Sequence, residues 1–507
     1  MSRINTNVQS LLAQRVLGMN NKNLSQSLER LSTGTRINRG KDDPAGLIAS
    51  ENLRAEATAL TSAIGNAERA DQVVNIAEGG LQEVSNLLNE LQGLLTTTAN
   101  KAGLGEQEKE ANQQQVDSIL QTIDRIASAT SFQGTKLLNG SYDYRAQNVA
   151  GDVTDFKING AKFESEALDV DALITQSAQQ AGFVLSTTGT LDLNGSDEDF
   201  RLEIGGRLGS REFSFTSGQT NTEIRDAINN FSEVTGVTAT VSGGAITLAS
   251  DGFGDKEFVS VKVLNDAEIQ GTGVGIYDLL EDDFNTVNTT IRSTFADAIN
   301  EERDSGQDIA GTINGIRGVS DGKNLRVNTD FLDIELTLST TASQTLGAVE
   351  ASSGEPTLQI TGGGADFQLA GQVDVGGKVS LGISNVAVRN LGNSTDGFLG
   401  DLASGKSLNL ADGEDLSGAQ KVVEEAISQV STLRGRLGAF QKNTVGATIR
   451  SLSISLENTR AADSVIRDTD FATETAALTR SQILVSSTTN ILSLANSQPQ
   501  SVLQLLG

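Results

Sequence analysis

The sequence predicts an α+β multidomain fold: a discontinuous coiled-coil bundle of N- and C-terminal α-helices carrying a central β-rich insertion of α+β modules. Three observations predict it. Apolar residues near both ends recur in alternating steps of three and four, the period of helices that pack on other helices. From about 150 to 415 the chain becomes rich in Gly and Thr and alternates with period two, as half-buried strands do. Charge divides at the same places: residues 151–417 hold 42 acidic and 16 basic side chains, and the two flanks together hold 23 and 22. The net charge of −27 therefore falls almost wholly on the middle. The last 27 residues, Ser481 to Gly507, carry no charge but many Ser, Thr, Asn and Gln. Such ends can be buried against other copies without stranding charges, whereas the acidic middle must face water.

In chain order, residues 1–32 read as a helix. Leu17, Leu24, Leu28 and Leu31 hold coiled-coil spacing, and Ile4, Val8 and Leu11 form a stripe one register away. The pattern lapses between Thr33 and Asp43, where Gly34, Asn38 and Gly40 suggest a hinge. Asp43 followed by Pro44 reads as a helix cap and first residue. The second helix carries the clearest seam: Leu53, Glu56, Leu60, Ala63, Ala67, Ala70, Val74, Ala77, Leu81, Val84, Leu88, Leu91 and Leu95. So narrow a stripe wants another helix rather than a broad core. Gly79 and Gly80 interrupt it, each costing about 1 kcal/mol against Ala unless packing compensates. A third helix follows near 106–130, with Val116, Ile119, Ile123 and Ile126 in phase.

The middle shows one legible unit. Phe200 to Ile204 reads as a strand, Gly205 and Gly206 as a turn, and Phe213 to Phe215 as its partner. Thr220 with Glu223 reads as a capping box opening a helix with Ile224, Ala227, Ile228 and Phe231. Val237–Val241 and Ile246–Leu248, joined by Gly243 and Gly244, read as a hairpin. A further helix is expected near 288–304 from Ile291, Phe295 and Ile299, then a strand from Ile334, Leu336 and Leu338. Towards the C-terminus, Ala426, Val430, Leu433, Leu437 and Phe440 form a seam that weakens beyond Thr444. A last helix spans about 471–496, with Leu484, Ile491 and Leu494 on one stripe and Pro499 expected to end it.

Composition excludes much chemistry. With no Cys and no His there is no disulfide, no thiolate site, no Ser-His-Asp triad and no His-Glu-x-x-His zinc site. The acidic runs Asp197–Asp199 and Glu281–Asp283 lack EF-hand spacing and read as solvated loops. No catalytic residue, metal or cofactor is expected. An acidic chain with scattered basic residues is not a nucleic-acid binder. No stretch approaches the ~20 apolar residues of a membrane span, and the N-terminus lacks a basic-then-apolar secretion signal.

Several motifs together resemble bacterial flagellin. They are Leu28-Glu29-Arg30-Leu31-Ser32-Thr33-Gly34, Arg36-Ile37-Asn38 and Lys41-Asp42-Asp43-Pro44-Ala45-Gly46 near the start. Near the end stand Leu456-Glu457-Asn458-Thr459-Arg460-Ala461-Ala462-Asp463-Ser464, Ile466-Arg467-Asp468-Thr469-Asp470-Phe471-Ala472 and the tail from Pro499 to Leu506. The stretch around 200–250 resembles the hook-IN repeat of flagellins and filament-cap proteins. The resemblance implies a non-enzymatic, secreted, self-assembling filament subunit. It also implies export through the flagellar type III apparatus and dealings with an export chaperone, the filament cap and hook-junction proteins. It implies a terminal inner-tube domain (1–43 with 465–507), an outer-tube bundle (44–150 with 416–464), a β-rich module with the hook-IN-like unit (151–270) and a second α+β module (271–415).

On that reading Leu17, Leu24, Leu28, Leu484, Ile491 and Leu494 are expected to pack between copies. Leu53, Leu60, Val74, Leu81, Leu88, Leu91, Val430, Leu433 and Leu437 are expected to form the bundle's own seam. Flagellins sensed by Toll-like receptor 5 present, by resemblance, an Arg where Glu90 stands, a Gln at Thr97 and a Glu at Gln114, with Leu94 kept. An anion in place of a cation at an interface centre reverses the local field, so receptor activation is expected to be weak or absent. The rival readings are a hook–filament junction protein, an enzyme housed in the insertion, and a coiled-coil adhesin. The complete Leu-Glu-Asn-Thr-Arg stretch, the absence of His and the uncharged tail count against them respectively.

Overall fold

The computed structural model describes residues 6–100, 103–163, 166–187, 189–193, 199–269, 271, 273–280, 283–411 and 415–506. Among these residues nine α-helices occur: α1 Val8–Thr33, α2 Pro44–Thr98, α3 Glu106–Ala129, α4 Asn221–Asn229, α5 Ser232–Thr235, α6 Thr340–Gln344, α7 Leu416–Ala439, α8 Gly446–Arg467 and α9 Phe471–Leu506. No helix among them is long and apolar enough to cross a membrane. The chain forms two compact units. One comprises Met1–Gln72, Phe367–Gly377 and Ala439–Gly507, and the other Val73–Asp366 and Lys378–Gly438. These borders fall inside α2 and at the end of α7.

In the first unit α1 and α9 lie antiparallel, joined by hydrogen bonds from residues 7, 10 and 20 to 495, 496 and 488. Asp43 caps α2 as its sequence suggests, accepting from the Gly46 amide at 2.9 Å, and Pro44 is the first helical residue. Between α7 and α8 the backbone takes a π-helical course over Phe440–Val445. An inserted residue there turns the following stripe out of phase, which is why the apolar seam weakens beyond Thr444. Pro499 does not end the last helix: α9 runs on to Leu506. A mid-helix Pro removes one donor, and the side chain that replaces it is described below.

In the second unit the seam of α2 is the core of a helical bundle. Val74, Ala77, Leu81, Val84, Leu88, Leu91 and Leu95 are all buried, as are Val116, Ile119 and Ile123 of α3 and Val430, Leu433 and Leu437 of α7. The two glycines of α2 differ. A Cβ on Gly79 would meet nothing, whereas one on Gly80 would lie 2.7 Å from Thr130 Oγ1 and 2.8 Å from Leu138 Cδ1. Close packing thus offsets the helix cost of Gly80 only. Arg434 of α7 pairs with Glu78 of α2 at 2.9 Å.

The β-rich part of this unit has two cores. One gathers Phe183, Leu185, Phe200, Leu202, Ile204, Phe213, Ile224, Ile228, Leu248, Val261, Ile276 and Phe295. The other joins Tyr144, Val153, Ile158, Val170 and Ile174 to Ile309, Leu325, Ile334, Leu336, Leu358 and Ile360. The first core spans residue 270, and the second draws on both sides of the first. Long-range antiparallel pairing produces this nesting, for Val153–Ala161 pairs with Leu332–Leu338.

Inside the first core the expected unit is present, with one shift. Strand Phe200–Gly206 pairs with Gly209–Phe215, so Gly205 and Gly206 belong to the strand rather than the turn. A Cβ on Gly206 would lie 2.5 Å from the Thr235 carbonyl, so glycine serves a close backbone approach there. The capping box of Thr220 and Glu223 opens α4, and the hairpin Val237–Ser242 with Ala245–Ser250 pairs in full. The helix expected near 288–304 is absent. Asp283–Ser293 is a strand paired with Gly275–Leu280. Thr, Val and Ile dominate residues 286–291, and β-branched side chains favour the pleated surface. Phe295 packs on Phe200 at 5.1 Å, while Ile299 stays 65% exposed. Glu281, Asp282, Asp197 and Glu198, from the acidic runs, lie outside the described residues.

Candidate functional site

The terminal helix pair is built inside out. Its buried faces are small or polar: Ser10, Ala13, Asn20 and Ser27 on α1, and Ser481, Thr488 and Ala495 on α9. Positions 10, 13, 17, 20, 24 and 27 alternate steps of three and four, and 481, 488 and 495 are heptad-spaced, so both seams are coiled-coil seams. Asn20 Nδ2 donates to Thr488 Oγ1 at 2.8 Å, and Ser10 Oγ donates to Asn496 Oδ1 at 2.7 Å. Arg30 and Glu474 form an ion pair at 3.5 Å near the other end.

The large apolar side chains turn away from this seam. Val8 is 64% exposed, and Leu11, Leu12, Met19 and Leu28 are exposed as well. On α9 Ile483, Leu484, Ile491 and Leu494 are exposed, the last at 66%. Leu17 and Leu24 differ from the other expected contact residues in being half-buried along the seam within the chain. A single chain thus leaves two apolar stripes uncovered on helices whose uncharged seam is already closed. Stripes of this kind mark surfaces that another molecule covers.

The segment between α1 and α2, expected to be a hinge, is laced to the chain's C-terminal part. The Arg36 amide donates to the Arg467 carbonyl at 2.6 Å and the Thr469 amide to the Gly34 carbonyl at 3.0 Å. The Arg36 guanidinium donates to the Ile466 carbonyl at 2.6 Å. Gly34 takes the left-handed φ of +74°, which ends α1. Asp470 caps α9. The Thr473 hydroxyl and then the amides of Thr473 and Ala472 hold its carboxyl below the usual carboxylate range. Sequence motifs pointed to this segment, but not to the side-chain and backbone hydrogen bonds, spanning 430 residues or more, that close it.

Residues 4–143 match the bacterial flagellin N-terminal helical region, 420–506 the bacterial flagellin C-terminal helical region, and 190–252 the flagellin hook IN motif. The chain belongs to the bacterial flagellins. It is 28% identical to the flagellin of Salmonella typhimurium over 528 aligned residues, 27% to flagellin B of Helicobacter pylori strain J99 over 538, and 26% to polar flagellin A of Vibrio parahaemolyticus over 504, with 99% of both chains covered each time. It is a structural subunit of the extracellular flagellar filament, a homopolymer, and flagellins are not enzymes.

In this flagellin the bundle-seam residues from Leu60 to Leu91 and Val430, Leu433 and Leu437 are buried within the chain, while Leu53 is half-buried. Glu90 and Thr97 lie exposed on α2, Leu94 is half-buried on the same face, and Gln114 is exposed on α3. Spacing of four and three places Glu90, Leu94 and Thr97 on one outward strip. Among the described residues no cluster of acidic side chains has the arrangement of a metal site. Sequence reading missed Asn20 and Thr488, because polar residues within a helical stripe look like gaps in it.

Proposed function

We propose that copies of this flagellin polymerise by burying the outward stripes of α1 and α9 against one another. Leu28, Leu484, Ile491 and Leu494 lie in these stripes, with Leu17 and Leu24 at their edge against the seam. Leu53, Leu60, Val74, Leu81, Leu88, Leu91, Val430, Leu433 and Leu437 serve the subunit's own bundle. The acidic insertion, whose cores are closed within one chain, forms the filament surface. The reading is carried by the inside-out terminal pair, which hides Ser, Asn and Thr and exposes Leu, Ile and Val. The test is growth on filament seeds. Leu484→Glu with Ile491→Glu, or removal of the tail from Thr488 onward, is expected to leave soluble monomer where the natural chain lengthens seeds. Growth of these variants at the natural rate would sink the proposal.

The uncovered stripes are also the surface that an export chaperone, the cap and the hook-junction proteins would engage before or at the ends of the polymer. Toll-like receptor 5 activation is weak or absent, because exposed Glu90 puts an anion on the strip with Leu94 and Thr97, and Gln114 is neutral. A receptor-reporter assay in which Glu90→Arg leaves the response unchanged and high would refute this.

A further inference from the structure

Arg436 of α7 reaches out of the helical bundle into the base of the insertion. Its Nη2 donates to the Gly382 carbonyl at 2.9 Å and to the Asn159 carbonyl at 3.5 Å. Asn159 lies in the strand Val153–Ala161, where the chain enters the insertion, and Gly382 follows the strand Lys378–Leu381, where it returns. One guanidinium thus holds both passes. Asn159 in turn donates to Asp333 at 3.2 Å, which Arg326 grips with two nitrogens at 3.1–3.2 Å.

The neighbourhood is tight on one side of Arg436 and open on the other. The Tyr144 hydroxyl accepts from the Ala161 amide at 2.9 Å, and a Cβ on Gly382 would meet the Tyr144 ring at 3.1 Å and the Ile158 carbonyl at 2.7 Å. On the open side a cleft of about 610 Å3 separates α7 from the first strand of the insertion. Across it an ion pair, Lys157 with Glu425, is stretched to 4.0 Å. Among the described residues no carboxylate forms an ion pair with Arg436. Burial pulls its pKa down, with Asp333 and Asp143 opposing that and Arg326 adding to it. A half-buried charge held by carbonyls alone contributes little net stability, and neutral replacements at such places are often tolerated. Its geometry, not its energy, distinguishes it.

We infer that Arg436 is a positioning residue that sets the angle at which the acidic insertion stands on the helical bundle, with the adjoining cleft as the space into which the insertion swings when that contact is lost. The inference rests on the filament-subunit reading only for its consequence, a fixed surface on the polymer. The geometry itself belongs to one chain.

The natural chain has no Cys, so Ser431→Cys on the exposed face of α7 and Ser353→Cys in an exposed loop of the insertion accept spin labels without competition. The distance distribution between the labels is measured in the full-length monomer for the natural residue, Arg436→Gln and Arg436→Lys. Arg436→Gln is expected to broaden it at least twofold with the unfolding midpoint unchanged, and Arg436→Lys to restore most of the narrow distribution, since an ammonium still reaches one carbonyl. Equal widths for Arg and Gln overturn the inference, and so does broadening that accompanies a lowered unfolding midpoint in both variants. A natural chain that fails to lengthen seeds would instead count against the filament reading and leave these distances readable.

Discussion

The Asn7 side-chain amide donates to the carbonyl of Ala495 at 2.8 Å, and its Oδ1 accepts from the Ser10 amide at 3.1 Å. The same side chain therefore caps α1 and serves the carbonyl whose helical donor would be residue 499. That residue is Pro, which has no N–H. The last helix passes through Pro499 because the first helix supplies the donor it lacks.

Asn7→Ala is expected to cost about 1–2 kcal/mol of local stability, from the lost cap and the unpaired carbonyl. In Pro499→Ala, where residue 499 regains its N–H, the cost of Asn7→Ala should shrink to that of the cap. Hydrogen exchange in assembled filaments, read as a double-mutant cycle, checks this. Additive effects would break the link between the two residues.

Gly79→Ala should stabilise the bundle by up to about 1 kcal/mol, since its Cβ enters open space. Gly80→Ala should destabilise it despite the same gain in helix propensity, because Thr130 and Leu138 must move. Denaturant midpoints of the two variants should shift in opposite directions.

Burial of Asp117 is outweighed by the Ser404 hydroxyl and amide and the Gln113 amide, which hold its carboxyl below the ordinary range. A carboxyl with a depressed folded pKa contributes stability above its unfolded pKa, and that contribution is lost as pH falls through the folded value. The tie between α3 and residue 404 should therefore weaken below about pH 4. Asp117→Asn should lower the unfolding midpoint at neutral pH and flatten its acid dependence. A variant as acid-sensitive as the natural chain would show that other carboxyls govern the response.

Thr220→Ala removes one half of the capping box that opens α4. The cost should be about 1 kcal/mol, confined to the first β-rich core. Near-ultraviolet or amide-exchange probes in that core should report it while the helical bundle stays unchanged.

The insertion shows where sequence reading held and where it failed. The capping box, the 237–250 hairpin and the alternating strand at Leu332–Leu338 were legible, because each rests on neighbours within a few residues. The helix expected at 288–304 failed because Ile291, Phe295 and Ile299 share a helical spacing that β-branched neighbours and pairing with Gly275–Leu280 override. Of the expected assembly stripe, Leu484, Ile491 and Leu494 face outward, whereas Leu17 and Leu24 are half-covered by the chain's own α9. Periodicity names a face but not the molecule that covers it.

By itself the sequence determined the family, the helical ends, the acidic middle and the heptad phase of α2, for these follow from local spacing, charge and motif. The tertiary structure alone decided that the terminal seam is polar, that α9 survives Pro499, that the two β cores are nested across residue 270, and that Arg436 bridges both passes of the insertion. Each of those depends on groups brought together from more than fifty residues apart along the chain or on strands paired across it, and no local pattern records such a meeting.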